Sequence, residues 1–347
     1  MIDTTARKVA AYWDENRQKT ADPTFWMAHP LCRQAINRRV SGSPHEWPLD
    51  WFKRVHAPDG FGTGLSWGCG LGAFERAAIR MGLVREIDAF DVSPISLEDA
   101  RELADKEGLA GIQYRIGDFN DPDVPHRRYD IVFFHASLHH VAALERLFRR
   151  LSFALKPGGA VYVDEFVGPS RDRWSPGDLK LAQGVLDMLP GDAKERSQID
   201  FPIEANDPSE AIRSSEIGRF LNEFFEIVDW RPYGGQLVDL ILPCLRPGWP
   251  ESPEGCRSIQ AMLEIEDYEL SRNPAATHHL VAFGRLKPLP RLALPLARQT
   301  LQAVKRRFGR LANRPLASTP EELKEDESRK GRCTDRETGG ETARPVT

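Results

Sequence analysis

The sequence has few cysteines, and none of them falls in a pattern that would give it a structural role. Only 5 occur in 347 residues, at Cys32, Cys69, Cys244, Cys256 and Cys333, and none forms a C-x-x-C pair. This odd, scattered set predicts neither a disulfide framework nor a zinc site. Acids and histidines do not cluster at ligand spacing either, so we expect no metal.

Long apolar runs and an excess of one charge are also missing. No window approaches 18 consecutive apolar residues, so we expect no membrane-spanning helix. The first residues, "MIDTTARKVAAYWDENRQ", lack the apolar centre of a signal peptide. Lysine and arginine total 47 against 51 acidic residues, a balance that disfavours nucleic acid as the general partner. These absences together predict a cytoplasmic globular protein.

Between residues 63 and 166, short apolar runs alternate with amphipathic segments. The predicted strands are "GLSW", "EIDAFDV", "IQYRIG", "YDIVFFHA" and "GAVYVDEF", and two later ones are "EIVDWRPYG" and "HHLVAFGRL". The predicted helices between the first five strands are "AFERAAIRMG", "SPISLEDARELADKEG" and "VAALERLFRRLSFAL", the last ending at "KPGG". This alternation predicts an α/β fold, in which helices cover both faces of a parallel sheet.

Composition divides the chain into four parts. The first is aromatic and broken by prolines, and it predicts a helical cap that either packs on the main domain or forms a lid over a ligand. After the main domain comes a basic amphipathic helix, which could lie on an anionic membrane, on its own domain or on a second copy. The last part is polar and predicted to be disordered. The predicted bounds are 1–56, 57–286 with helical insertions at about 169–225 and 238–275, 287–317, and 318–347.

The stretch "TGLSWGCGLGAFERAA" places Gly68, Gly70 and Gly72 between a predicted strand and a predicted helix. Glycine permits positive φ and close approach of a ligand to the backbone, and a helix start offers free N–H groups. Such a turn fits nucleotides, dinucleotides and S-adenosylmethionine alike. A nicotinamide dehydrogenase is disfavoured, because its G-x-G-x-x-G fingerprint would place the third glycine one residue later.

Acids at the next two strand ends narrow the class of ligand that the glycine turn could bind. Asp91 ends the second predicted strand and could accept both hydroxyls of a ribose. Asp118 ends the third and could accept from an adenine amino group, while the ring of Phe119 packs on the base. Either acid alone could merely cap a helix. Because the turn and both acids follow successive strands, on the side where parallel sheets bind ligands, they predict a nucleoside cofactor.

The ordered stretches "SWGCGLG", "DAFDVS", "GDFND", "YDIVFFHASLHHV" and "ALKPGGAVYVDEF" resemble the class I S-adenosylmethionine-dependent methyltransferases. The resemblance implies a doubly wound, Rossmann-like sheet of seven strands, one of them antiparallel, and S-adenosylmethionine as the cofactor. It also implies a set of cofactor-binding residues. The methionine would lie along Gly68, Cys69, Gly70 and Gly72, the ribose at Asp91 with Val92 beside it, the adenine at Asp118 and Phe119, and the sulfonium near His135 and Ala136.

One position departs from that family pattern. Many members carry an acid two residues before the first glycine, and here the residue is Ser66. A hydroxyl in place of a carboxylate removes a charge-assisted contact worth about 1–3 kcal/mol. Two interpretations stay open: a tolerated variant with weaker cofactor binding, or a cofactor-binding partner protein that has lost catalysis.

Methyl transfer requires an aligned nucleophile and exclusion of water, and a hydroxyl acceptor also benefits from a base. The candidates for that base are His139, His140 and Glu165, each of which could instead be structural. A looser resemblance, through "AYWDEN", "VGPSRDRWSPGDLKLAQGVLDMLP" and "WRPYGGQLVDLIL", is to methyltransferases of bacterial surface-polysaccharide assembly. It implies a sugar hydroxyl of a glycan or small molecule as the acceptor. A lipid-like or quinone-like acceptor is the alternative.

Overall fold

The computed structural model of the protein describes residues 4–16, 25–202 and 207–288. The predicted basic helix, apart from its first two residues, and the predicted disordered tail lie outside these ranges. Within the described residues, no helix is both long enough and apolar enough to cross a membrane.

A seven-stranded sheet forms the centre of the fold. Its spatial order is β3-β2-β1-β4-β5-β7-β6, and β7 runs antiparallel to both of its neighbours while the other adjacent pairs are parallel. The predicted seven-stranded sheet with one antiparallel strand is therefore confirmed. The strands are β1 (Phe61–Trp67), β2 (Val84–Asp91), β3 (Ile112–Ile116), β4 (Tyr129–His135), β5 (Leu155–Phe166), β6 (Phe225–Gly234) and β7 (His279–Leu286).

Ten α-helices surround the sheet in the described part of the chain. Proline occupies the first turn of α2, α3, α5, α7 and α10, where its missing N–H has no helical partner to lose. The helices are α1 (Thr4–Asn16), α2 (Pro30–Ser41), α3 (Pro48–His56), α4 (Ala73–Arg80), α5 (Pro94–Lys106), α6 (Leu144–Ala154), α7 (Pro176–Met188), α8 (Ile217–Phe224), α9 (Val238–Ile241) and α10 (Pro253–Arg272).

Aromatic clusters pack on both faces of the sheet. Phe52 of α3 lies against Tyr162 and Phe283, with ring centroids 4.6 and 5.1 Å apart. Phe148 of α6 lies against Phe225 of β6. Phe225 pairs with Leu286, and because Leu286 is an odd number of residues from Phe283, Phe225 points to the opposite face of the sheet. The central strands are accordingly buried on both sides, as their unbroken apolar runs predict.

The end of α6 differs from the prediction. The helix ends at Ala154, and "KPGG" already belongs to β5. Gly158 has a φ of 73°, and the register between β4 and β5 shifts between Tyr129 and Ile131. The irregular start of the strand thus takes the place of a helix-terminating turn.

An ion pair fastens the amino-terminal helices to the late part of the chain. Arg39 of α2 donates from Nη1 to Oε2 of Glu266 on α10 and to the carbonyl of Tyr233, at 2.9 Å each. The other carboxylate oxygen of Glu266 accepts the N–H groups of Leu237 and Val238 at 2.9 and 3.2 Å. Because Glu266 is fully buried, its charge depends on these partners.

Candidate active site

The turn after β1 has positive φ at Gly68 (70°), Gly70 (48°) and Gly72 (70°). A Cβ on Gly68 would lie 2.6 Å from the Cβ of Ser137, and one on Gly72 would lie 2.2 Å from the hydroxyl of Tyr114. Close packing therefore requires these two glycines. A Cβ on Gly70 would meet nothing within 4 Å, so at this residue the backbone borders space that a ligand can enter.

Asp91, the last residue of β2, is bonded to this turn. Its Oδ2 accepts the N–H of Gly70 at 2.8 Å, and its Oδ1 accepts the N–H of Ser93 at 2.9 Å. Burial raises the pKa of Asp91, and the neighbouring Val92 is buried as well. Each carboxylate oxygen keeps a second lone pair, so Asp91 can still accept the hydroxyls of a ribose.

Asp118 and Phe119 follow β3. Oδ1 of Asp118 accepts the N–H of Asn120 at 2.8 Å. The buried ring of Phe119 lies 5.9 Å from that of Trp67, centroid to centroid, and packs against Gly68. The glycine turn, Asp91 and Asp118 thus stand at the carboxyl ends of three adjacent strands, β1, β2 and β3.

Ser66 on β1 is paired with an acid that the sequence analysis missed. Its buried hydroxyl donates to Oε1 of Glu75, in the first turn of α4. Burial raises the pKa of Glu75 to about 7, although the hydrogen bond from Ser66 works in the opposite direction. The second oxygen, Oε2, is buried and has no hydrogen-bond partner. A carboxyl group therefore does lie beside the start of the glycine turn, but it comes from position 75.

His135 and Ala136 form the end of β4. The half-exposed ring of His135 stacks on Phe74 of α4, with centroids 5.3 Å apart, and its Nε2 lies 3.9 Å from Oδ2 of Asp164. Ala136 has a φ of 50° and donates its N–H to the carbonyl of Asp164 at 2.8 Å. A positive φ is uncommon outside glycine and often marks functional turns. The two residues thus lie at the same carboxyl edge as the glycine turn.

Glu165 of β5 holds the turn that follows β4. It is fully buried, it accepts the N–H groups of Ser137 and Leu138 at 2.8 and 2.5 Å, and it also bonds Nδ1 of His139. Burial opposes a charge on His139, but the carboxylates of Glu165 and Glu210 raise the pKa of this histidine to about 9. With its oxygens occupied in this way, Glu165 orients the turn and His139.

His140 lies beside His139, with ring centroids 4.1 Å apart. Burial and the neighbouring His139 hold the pKa of His140 well below its usual value. Its Nδ1 is 3.6 Å from Oδ2 of Asp207 and 3.9 Å from Oε2 of Glu210. Folding thus brings two acids to the histidine pair from positions far along the chain, a proximity that spacing in the sequence does not show.

Helix α1 closes the carboxyl edge of the sheet. The ring of Trp13 meets that of His140 edge to face, with centroids 5.5 Å apart. One residue later, Asp14 accepts from the hydroxyl of Ser93 at 2.5 Å, directly beside Asp91. This short helix therefore contacts both the β2 end and the β4 end of the candidate site.

Comparison with known proteins agrees with this geometry. Residues 65–163 match the family model described as a methyltransferase domain. This stretch contains the glycine turn and the carboxyl ends of the first four strands, and it lies within the seven-stranded sheet. Residues 65–163 therefore resemble a methyltransferase domain, and they lie within a Rossmann-like sheet of seven strands.

Individual relatives are similar over part of the chain or at low identity. The malonyl-[acyl-carrier protein] O-methyltransferase 1 of Ilyobacter polytropus is 31% identical over 103 residues, which span 29% of this chain and 37% of that protein. Phosphoethanolamine N-methyltransferase 2 of Haemonchus contortus, solved with S-adenosyl-L-methionine, is 16% identical over 81% of this chain and 60% of its own, with a TM-score of 0.47. The cyclase SpnF is 17% identical over 82% of this chain and 98% of its own, with a TM-score of 0.45.

Proposed function

We propose that the protein transfers a methyl group from S-adenosylmethionine to an oxygen of a small molecule or glycan. The observation that carries the proposal is the hydrogen bond from Gly70 to Asp91 at 2.8 Å. It joins an accessible glycine backbone to a carboxylate at the next strand end, which is the arrangement that suits a nucleoside with a charged tail.

The residues present fit that cofactor. The methionine would lie in the space beside Gly70, along Gly68, Cys69 and Gly72. Asp91, with Val92, would bind the ribose. Asp118 and Phe119 would bind the adenine, and His135 and Ala136 would lie at the sulfonium end. We infer that the buried carboxyl of Glu75, whose Oε2 has no hydrogen-bond partner, provides the acid that position 66 lacks.

The bound cofactor supplies an electrophilic methyl group. What remains for the protein is to orient the acceptor, to exclude water and to receive a proton. Trp13 contacts His140 edge to face, and we infer that this contact restricts solvent there. We infer that His140, with its lowered pKa, is the proton acceptor and that Glu165 positions His139 beside it.

The cofactor proposal is tested by calorimetry with S-adenosylmethionine, S-adenosylhomocysteine and NAD. We expect binding of the first two, and a loss of roughly 1–3 kcal/mol in Asp91→Asn, because an ionised acceptor is replaced. Asp130→Asn is the matched control, since Asp130 bonds Lys156 and the N–H of Thr63 outside the proposed site. Unchanged affinity in Asp91→Asn would contradict the assignment.

For the acceptor, we propose a sugar hydroxyl, on the resemblance to the polysaccharide-associated methyltransferases and on the aromatic face of Trp13, which suits a sugar ring. The test is transfer of a labelled methyl group into three separate fractions: cell-envelope glycans, lipids with quinones, and malonyl thioesters of the kind named in the relative. Label in the glycan fraction supports the proposal. Label confined to either other fraction replaces it, and no label with intact cofactor binding favours a non-catalytic partner protein.

A peripheral contact with anionic membranes through residues 287–317 is proposed from the sequence alone. This segment has many basic residues and follows directly on β7. Co-sedimentation with phosphatidylglycerol vesicles, with and without this segment, tests it. Equal sedimentation of both chains would refute the contact.

A further inference from the structure

We propose that His139, His140, Asp207 and Glu210 bind a divalent metal ion, with zinc as the best match. His139 and His140 lie in the turn after β4, where Trp13 contacts His140, and Asp207 and Glu210 approach them from the late insertion. The candidate ligand atoms of His139, His140 and Glu210 all lie within 4.8 Å of one another.

The separations between the atoms suit one central ion. Nε2 of His139 is 3.8 Å from Oε2 of Glu210, and Nδ1 of His140 is 3.9 Å from the same oxygen and 3.6 Å from Oδ2 of Asp207. In a tetrahedral zinc site with bonds of about 2.0–2.2 Å, ligand atoms are roughly 3.3–3.6 Å apart. For His139, His140 and Glu210, a contraction of a few tenths of an ångström would close the site, with the metal ion displacing the hydroxyl of Ser209, which now lies 3.2 Å from Nδ1 of His140.

The orientation of His139 is that of a metal ligand. Its Nδ1 bonds Glu165, and Glu165 is anchored by the N–H groups of Ser137 and Leu138. This leaves Nε2 directed at Glu210. Metal-binding histidines almost always donate their other ring nitrogen to a carboxylate or carbonyl in this way.

Asp207 provides an independent observation. Its Oδ1 accepts the N–H and the hydroxyl of Ser209 at 2.8 and 2.6 Å. Its Oδ2 is fully buried and has no hydrogen-bond partner, although it points at His140. Leaving a buried carboxylate oxygen unpaired is costly, and a cation at this point removes the cost.

The charges around the cluster also favour a cation. Three carboxylates, those of Glu165, Asp207 and Glu210, meet around the two histidines. The guanidinium of Arg171 donates to the carbonyl of Asp207 at 2.9 Å, and its charge also acts on Glu210, so it offsets part of this negative charge. A dication placed between these carboxylates would balance the remaining negative charge of this buried cluster.

The donor set selects the class of metal. Two imidazole nitrogens with two carboxylate oxygens suit zinc and neighbouring first-row ions better than magnesium or calcium. The side chain of Glu210 is 29% exposed, so the cluster opens to solvent on that side. If the proposed methyl transfer holds, an ion here would polarise the acceptor oxygen and take the place of His140 as the group that activates it.

The test is the metal content of the full-length protein after removal of metal with a chelator and titration with Zn²⁺. We expect one equivalent to be retained on gel filtration, and a visible absorption spectrum when Co²⁺ is used instead. Glu210→Gln and Asp207→Asn should weaken zinc binding at least tenfold, since each removes a charged ligand. Circular dichroism verifies that the variants fold.

Asp239→Asn is the matched control. Asp239 lies 3.4 Å from Nε2 of His279, beside the second histidine pair of the chain, so the control removes a similar acid next to similar histidines. It should leave zinc binding unchanged. Failure of the wild type to retain zinc, or equal binding by Glu210→Gln, would overturn the proposal. Calorimetry with S-adenosylmethionine on the metal-free protein reports on the proposed function separately.

Discussion

The buried acid beside the glycine turn makes a specific prediction about pH and stability. The usual pKa of a glutamate is 4.5, and burial raises that of Glu75 to about 7. Below pH 4.5 the side chain is protonated in both the folded and the unfolded chain. Between the two values the unfolded chain releases the proton while the folded chain retains it, so the free energy of unfolding falls as pH rises.

The size of this effect follows from the shift. Each pKa unit corresponds to about 1.4 kcal/mol, so Glu75 lowers the free energy of unfolding by about 3 kcal/mol between pH 4.5 and 7. Above pH 7 the folded protein ionises as well, and the decline ends. Replacement by glutamine keeps the shape of the side chain and removes the titration. The pH dependence of the variant should therefore lack this contribution.

The assay is urea unfolding at half-unit intervals of pH, for the wild type and for Glu75→Gln. The difference between the two curves should change by about 1.4 kcal/mol per pH unit inside the window and level off outside it. Glu86→Gln, an exposed position on β2, is the control and should run parallel to the wild type. Ser66→Ala should extend the pH range of the effect upward, because it removes a hydrogen bond that lowers the pKa of Glu75. Parallel curves for the wild type and Glu75→Gln would refute the reasoning.

Three further predictions concern the turn, the ion pair and the lid. Gly70→Ala should lose roughly 1–2 kcal/mol of stability in thermal unfolding, because alanine is strained at a positive φ. Gly68→Ala should lose more, because the added Cβ also clashes with its neighbours. Equal losses in the two variants would contradict the packing argument. Arg39→Met should lower the free energy of unfolding in urea by about 3–5 kcal/mol, because Glu266 would be buried without its cation. A loss below about 1 kcal/mol would show that the other hydrogen-bond partners of Glu266 suffice. Trp13→Ala should raise the KM for the acceptor several-fold, because it removes a contact worth about 0.5–1.5 kcal/mol. Calorimetry should show little change in cofactor affinity. An unchanged KM would show that Trp13 is not part of the acceptor site.

Much of the fold was predictable because its strands and turns follow from local sequence patterns. Apolar runs flanked by turn residues located all seven strands, and glycine spacing located the turn before α4. Asp91 and Asp118 could be placed at one edge because parallel strands align their carboxyl ends. The start of β5 could not be predicted, because "KPGG" is equally compatible with the end of a helix and with the irregular beginning of a strand.

The parts of the site that were missed depend on contacts between distant positions. Glu75 is one of many helix acids in the sequence, and only packing shows that it is buried against Ser66. Asp207 and Glu210 lie at a turn inside the predicted helical insertion, far along the chain from His139 and His140. No spacing rule joins such positions, because their meeting is decided by how the late insertion folds back over β4.

The position of α1 has a consequence for the kinetics of the proposed reaction. Through Asp14 and Trp13, one helix of 13 residues touches both ends of the crevice, so moving it uncovers both ends together. Departure of the spent nucleoside and arrival of the next acceptor would then share a single opening event. Turnover at saturating substrate would depend on solvent viscosity, and the dependence would disappear in a chain that begins after α1.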